Sequence, residues 1–296
     1  MAQVRSRSVR LTQQKQMKLA KEKRPVSWVR IVIYAFLAVF TISSIGPLIF
    51  TFISSFKTMG DVLAFPPTLI PHPFVWSNYQ LIFGNSLFLR WMLNSVIYAG
   101  GATVLNMLFS AMAGYALGRM EFPGRGLIFT FTLAVMMIPT AITLIPKFLV
   151  VNNFHMANTY WALILPAMAQ PFSVFIMVQF MKGLPRELEE SARIDGASRW
   201  RTFYQVILPQ VKPALTAVVI LTFQGAWNDF QWPLVAMGTQ NMYTLPLGLF
   251  FFKSTYYTQY NLLLAGSMFN TIPILILFFI FQRYFIEGAV ASGVKG

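Results

Sequence analysis

Catalysis, binding and docking all need polar groups held close together, and few stretches of this chain supply them. The densest is 183–212, where Glu187, Glu189, Glu190 and Asp195 alternate with Arg186, Arg193, Arg199 and Arg201. Mixed charge at that density suits a surface that meets another protein; an amphipathic segment lying on lipid is the other use. A second set is Trp227, Asn228, Asp229, Gln231 and Trp232. Planar hydrogen-bonding side chains beside aromatic faces suit a sugar ring, whose rim carries hydroxyls and whose faces carry C–H groups. The same set also suits a hydrogen-bonded contact between helices. Asn270 is a further amide of this kind.

Enzymatic chemistry finds no such support. No G-x-x-x-x-G-K-[ST] loop is present, so the chain is not expected to hydrolyse ATP itself. His72 and His155 lie far apart, which argues against a metal site, and no resident cofactor is expected. Cysteine is absent, which removes disulfides and thiolate ligands.

The elements that must position these residues are apolar. Hydrophobic residues make up 56% of the chain and charged ones 11%, against about 25% charged in a soluble domain. So few charges cannot cover a water-facing surface, whereas lipid accepts apolar side chains directly. The net charge of +14 does not point to nucleic acid, because its placement follows membrane topology. Arg5, Arg7, Arg10, Lys15, Lys18, Lys21, Lys23, Arg24 and Arg30 precede or edge the first apolar run, and Lys182 to Lys212 holds another group.

Six stretches approach the roughly 20 apolar residues a membrane helix needs: 29–56, 92–117, 127–150, 160–181, 213–237 and 262–285. The first exceeds the roughly 7–15 residues of a signal-peptide core, so it is expected to remain as a span. Cation-rich gaps alternate with cation-poor ones, which places both termini and 183–212 in the cytoplasm. Prolines 139, 146, 166, 171 and 273 fall within spans and are expected to bend them. The domain organisation expected is a basic tail over 1–28, a first transmembrane helix over 29–56 and an extracytoplasmic loop over 57–90. A core over 91–285 and a cytoplasmic tail over 286–296 complete it.

The stretch 183–212 reads as two short helices and a joint. Pro185 suits a helix start, the glutamates suit its first turns, and Gly196 suits a joint needing positive φ. Ser198 suits the cap of the second helix. Trp200, Phe203, Val206 and Ile207 give that helix an apolar face, and Pro209 ends it.

This segment resembles the EAA loop of ABC importer permeases: E-A-A, a three-residue gap, G, a nine-residue gap, then I-x-L-P. Glu190, Ser191 and Ala192 stand for E-A-A, Gly196 for the glycine, and Val206 to Pro209 for the end, with Ser191 and Val206 as mild departures. Asp195-Gly196-Ala197 is similar to the sugar-uptake branch. So are Asn94-Ser95, Gly114 to Leu117 with Arg119, Phe122 to Arg125, Ile138-Pro139, Trp227 to Asp229 and the tail at Gly293 to Gly296. The resemblance is to the smaller, six-span, maltose-permease-like subunit, and covers the chain from about residue 30 onward.

The resemblance implies an all-α integral membrane protein with six transmembrane helices, the type I ABC importer transmembrane domain, in a bacterial inner membrane. It implies that Glu190, Ser191, Ala192, Asp195, Gly196, Ala197 and Pro209 couple to an ATPase. It places Trp227, Asn228, Asp229, Gln231 and Asn270 near a solute path, and makes Gly293, Lys295 and Gly296 a tail contact. A second homologous permease, an ATPase dimer using ATP and Mg, and an extracytoplasmic sugar-binding protein are the implied partners, with membrane lipid around them. Import of a non-sugar solute and ion-coupled secondary transport stay open as alternatives.

Overall fold

A computed structural model describes residues 28–250 and 258–293, with side chains described as far as 282. The basic tail and Lys253 therefore lie outside the described residues. Contacts divide the chain into two units, 1–51 and 52–296.

The first unit holds most of helix α1, Trp28–Ser54. Its side chains from Trp28 to Ile45 are exposed on every side. A helix apolar all round needs an apolar solvent.

The second unit is built around α2, Ser86–Arg119. Asn85 caps its start, accepting from the Leu87 N–H at 2.9 Å. Then follow α3, Arg125–Met136, and α4, Thr140–Asn153. Next come α5, Tyr160–Lys182, and α6, Glu187–Ile194. The chain goes on through α7, Arg199–Gln210, α8, Lys212–Trp227, α9, Gln231–Ala236, and α10, Tyr260–Gly293. Four helices among the described residues are long and apolar enough to cross a membrane, and six spans result if each sharply bent pair counts as one.

A bend at Pro139 was expected, but the breaks are sharper than a kink, and the one after Trp227 was not expected. α3 meets α4 at 109°. Pro139 lacks an N–H and disfavours helix at the residue before it, so α3 ends and α4 starts afresh. α7 meets α8 at 80°, across Val211. The expected fifth span, 213–237, stops at Trp227 and resumes at Gln231. Asp229 therefore stands in a break between helices and not within one.

α2 packs along α5 and α8. The approach to α5 is close: a Cβ on Gly114 would lie 2.5 Å from the Met177 Cβ. Between these helices Asn106 is fully buried. It donates to the Ser173 and Thr222 hydroxyls at 2.8 and 2.6 Å, and accepts from the Gln170 N–H at 2.8 Å and the Ser110 hydroxyl at 3.0 Å.

The segment expected as an extracytoplasmic loop, 57–90, is folded. Phe56 stacks on Phe74 at 4.4 Å and packs on Trp76 and Tyr79. Asn78 donates to the Ser55 and Lys57 carbonyls, both at 2.9 Å. At the start of α2, Asn94 donates to the carbonyls of Asn241 and Tyr243 and accepts from the Tyr160 hydroxyl. Ser95 accepts from the Leu245 N–H. These bonds fix the segment 238–245 over one end of the unit.

Candidate functional site

At the other end of α2 lies the helix pair 187–210. α6 begins two residues after Pro185, with Glu187, Glu189 and Glu190 in its first turn, favourable beside the N-terminal partial charge. It ends in a glycine joint. Gly196 has φ of +75°. The Gly196 N–H bonds the Arg193 carbonyl and the Ala197 N–H bonds the Ala192 carbonyl, at 3.0 and 2.9 Å. This is the Schellman pattern, which satisfies carbonyls that a helix end leaves open. Ser198 then caps α7, accepting from the Arg201 N–H at 3.2 Å. A π-helical turn, Thr202–Ile207, carries Phe203 and Ile207 into the bundle beside Met177, Met181 and Val218.

The two faces of this pair differ. Glu190, Ser191, Asp195, Gly196 and Pro209 are exposed, Ala197 is half-buried and Ala192 is buried. Ala192 thus points inward where α6 packs on α7, while its neighbours face outward. Ile194 is 87% exposed and Trp200 is 62% exposed, so the outward face is also apolar. Trp200 packs on Phe203 at 5.3 Å, as the expected apolar stripe requires, but forms its exposed edge.

Arg119, the last residue of α2, ties the pair to the bundle. Its side chain is 5% exposed and meets Glu189, 13% exposed, at 3.1 Å. The same guanidinium donates to the Met181, Leu184 and Pro185 carbonyls at 3.2, 2.7 and 3.0 Å. One planar fork thus joins the ends of α2 and α5 to the first turn of α6. The Arg186–Glu121 pair at 3.6 Å is exposed on both sides, where such pairs contribute little.

The second candidate set is divided. Trp227, Asn228 and Asn270 come together: the Trp227 indole donates to the Asn270 carbonyl at 2.8 Å and the Asn270 amide donates to Asn228 at 3.2 Å. Gln231 is exposed. Asp229 lines a cavity of about 530 Å³. There it accepts from the Tyr98 hydroxyl at 3.0 Å and the Trp232 N–H at 3.2 Å. Tyr98, Lys147, Gln170 and Trp232 share the cavity wall.

Lys147, Tyr98 and Gln170 are absent from the residues picked by sequence. Lys147 carried a signal, because a cation inside an apolar stretch is as costly as a carboxylate there. Tyr98 and Gln170 carried none. Gly293 ends α10, while Lys295 and Gly296 lie outside the described residues.

The profile of the binding-protein-dependent transport system inner membrane component family matches residues 106–289. The chain belongs to this family. It is a multi-pass membrane protein with a transport role. It is 39% identical over 274 residues to the arabinooligosaccharides transport system permease protein AraQ of Halalkalibacterium halodurans, covering 92% of this chain and 97% of that one. It is 36% identical over 264 residues to the diacetylchitobiose uptake system permease protein NgcG of Streptomyces coelicolor, covering 88% and 87%. It is 34% identical over 254 residues to the sn-glycerol-3-phosphate transport system permease protein UgpE of Yersinia pestis, covering 83% and 90%. The fold matches a chain of a bacterial ABC transporter that imports alginate, with a TM-score of 0.79, 21% identity and coverage of 89% and 98%.

Proposed function

We propose that this chain is a permease subunit of an ATP-driven importer of saccharides. The observation that carries the substrate class is the 39% identity to AraQ along nearly the whole of both chains. The cavity supports it: Trp232 offers an aromatic wall, and Tyr98, Gln170 and Asp229 offer hydrogen-bonding groups. The glycerol phosphate relative favours a second reading, a small polyol phosphate as solute.

In this reading the importer also contains a second homologous permease, two ATPase subunits that use ATP and Mg, and an extracytoplasmic sugar-binding protein. Both termini and 183–212 face the cytoplasm. The outward face of α6 and α7, with Glu190, Asp195, Gly196, Ile194 and Trp200, meets the ATPase. Solute binding and ATP binding must each favour one conformation over another, since a ligand shifts a population only through differential affinity.

Purification in mild detergent, with co-purifying chains identified by mass spectrometry, tests the assembly. An ATPase and a second permease are expected. A chain that purifies alone as a stable oligomer overturns the reading and favours ion-coupled transport. Uptake of an arabinotriose against sn-glycerol 3-phosphate by the reconstituted complex separates the two solute classes.

Gly196 tests the coupling loop. A Cβ there meets nothing within 4 Å, so only its positive φ and its outward contacts matter. Valine is expected to lower solute-stimulated ATP hydrolysis several-fold, since left-handed backbone costs an L residue about 1–2 kcal/mol. Asparagine tolerates that conformation and is expected to keep most of the rate. Equal, unaltered rates in both variants sink the assignment.

A further inference from the structure

We propose that Lys147 reads the acceptor oxygens of the transported solute and so sets the importer's specificity. The proposal rests on the reading of the Asp229 cavity as part of the solute path.

Thr140, Thr143 and Lys147 recur at spacings of three and four along α4, and all three line the cavity. They form one helix face. The Lys147 ammonium lies 3.7 Å above the centre of the Trp232 ring. Among the described residues it has no hydrogen-bond acceptor, and no carboxylate lies within 4.0 Å of it. The Asp229 carboxylate lines the same cavity and acts on the ammonium through space, but no hydrogen bond joins them. A cation in an apolar stretch is retained at a cost unless it meets water or a partner.

The ring beneath it cannot move aside. The Trp232 indole N–H is bonded to the Ala162 carbonyl at 2.9 Å, and the Trp232 backbone N–H to Asp229 at 3.2 Å. Trp232 itself is buried. The cavity-side face of this ring is covered by the ammonium, so a sugar that stacks there must displace it. The displaced ammonium remains within reach of the sugar's edge on a flexible four-carbon stem. Stacking and donation thus become one event. The oxygens it takes are hydroxyls of a neutral saccharide or a carboxylate of an acidic one, and the chemistry of donation is shared.

The chain's lack of cysteine allows a direct test. Lys147→Cys places a single thiol in this chain. The variant is assembled with its partner chains, checked by co-purification and reconstituted in liposomes. Uptake is measured with arabinotriose as the neutral probe and trigalacturonate as the acidic one. An apparent KM raised about tenfold or more is expected, the factor that loss of a hydrogen bond to a charged group produces. Treatment with 2-aminoethyl methanethiosulfonate rebuilds an ammonium at that position and is expected to restore KM. Methyl methanethiosulfonate, which adds no charge, is expected not to. Excess saccharide is expected to slow labelling.

A shift confined to arabinotriose assigns hydroxyls as the partner, and one confined to trigalacturonate assigns the carboxylate. Unchanged KM for both, or equal rescue by the neutral reagent, overturns the proposal while leaving the sugar reading intact. A wild-type importer that takes up neither saccharide overturns the sugar reading, and this proposal falls with it.

Discussion

Replacing Arg119 by alanine is expected to lower the stability of the assembled complex and to reduce solute taken up per ATP hydrolysed. The side chain is 5% exposed and bonds one carboxylate and three carbonyls. Removing it leaves Glu189, 13% exposed, without its ion-pair partner and with the Tyr115 hydroxyl as a donor close by. Breaking a buried pair in this one-sided way costs about 3–5 kcal/mol. Lysine keeps the charge but replaces the planar fork by a single point donor, so it is expected to fall between alanine and wild type. Glu189→Gln keeps an acceptor for the guanidinium and is expected to be milder than either. The functional loss follows from place: the three carbonyls belong to the end of α5 and the link to α6, so the fork makes α6 move with the bundle. Thermal unfolding in detergent and the ratio of uptake to ATP hydrolysis check both parts. A wild-type ratio in Arg119→Ala shows that force on α6 travels by another route.

The helix pair itself was legible in the sequence because its signals are local. The glycine joint at Gly196 and the cap at Ser198 depend on bonds spanning three to five residues. Sequence spacing reports such bonds directly. The burial of Ala192 was not legible, since it depends on which face of α6 meets α7. The same limit applies to Asn94 and Ser95. Their partners, Asn241, Tyr243 and Leu245, lie 147 to 150 residues away.

The breaks were half legible. Pro139 announced a bend, but proline alone does not say whether a helix kinks or restarts. The angle of 109° is set by what the two segments pack against. No proline stands between Trp227 and Gln231, and the one local sign of the break that frees Asp229 is Pro233 in the first turn of α9. What stabilises it is the Asp229 carboxylate, which accepts from the Trp232 N–H at the start of α9, in the manner of a helix cap. Asp229 was found by its charge, and its work as a cap was hidden behind that charge.

Asn106→Leu is the second substitution with a large expected effect. Leucine has the same branched skeleton but bulkier methyl groups, so the loss of polar contacts is joined by some overpacking at a fully buried site. Asn106 is fully buried and makes four hydrogen bonds, to Gln170, Ser173, Thr222 and Ser110. Each buried group left without a partner costs about 1–3 kcal/mol. The Gln170 N–H is the most exacting, because it sits where Pro171 restarts the second half of α5 and the proline supplies no N–H of its own. A total of about 3 kcal/mol or more is expected. Ser173→Ala and Thr222→Ala each remove one interhelical contact, Thr222→Ala also losing a bond to the Val218 carbonyl within its own helix, and are expected to cost about 0.6–1.7 kcal/mol, as interhelical bonds in membranes do. Asn106→Asp keeps the acceptor but buries a charge, and is expected to do at least as much harm as leucine. The position gives the hub its functional weight. Tyr98 meets Asp229 near one end of α2 and Arg119 meets α6 at the other, roughly 30 Å apart along the helix. Asn106 lies between them and joins α2 to α5 and α8. A variant with this hub removed is expected to lose uptake together with thermal stability and co-purification of partners. If Asn106→Leu melts as wild type does, the three helices are held by apolar packing among residues such as Ala111, Met177, Ala214 and Val218, and the polar hub carries no share of the link between the two ends.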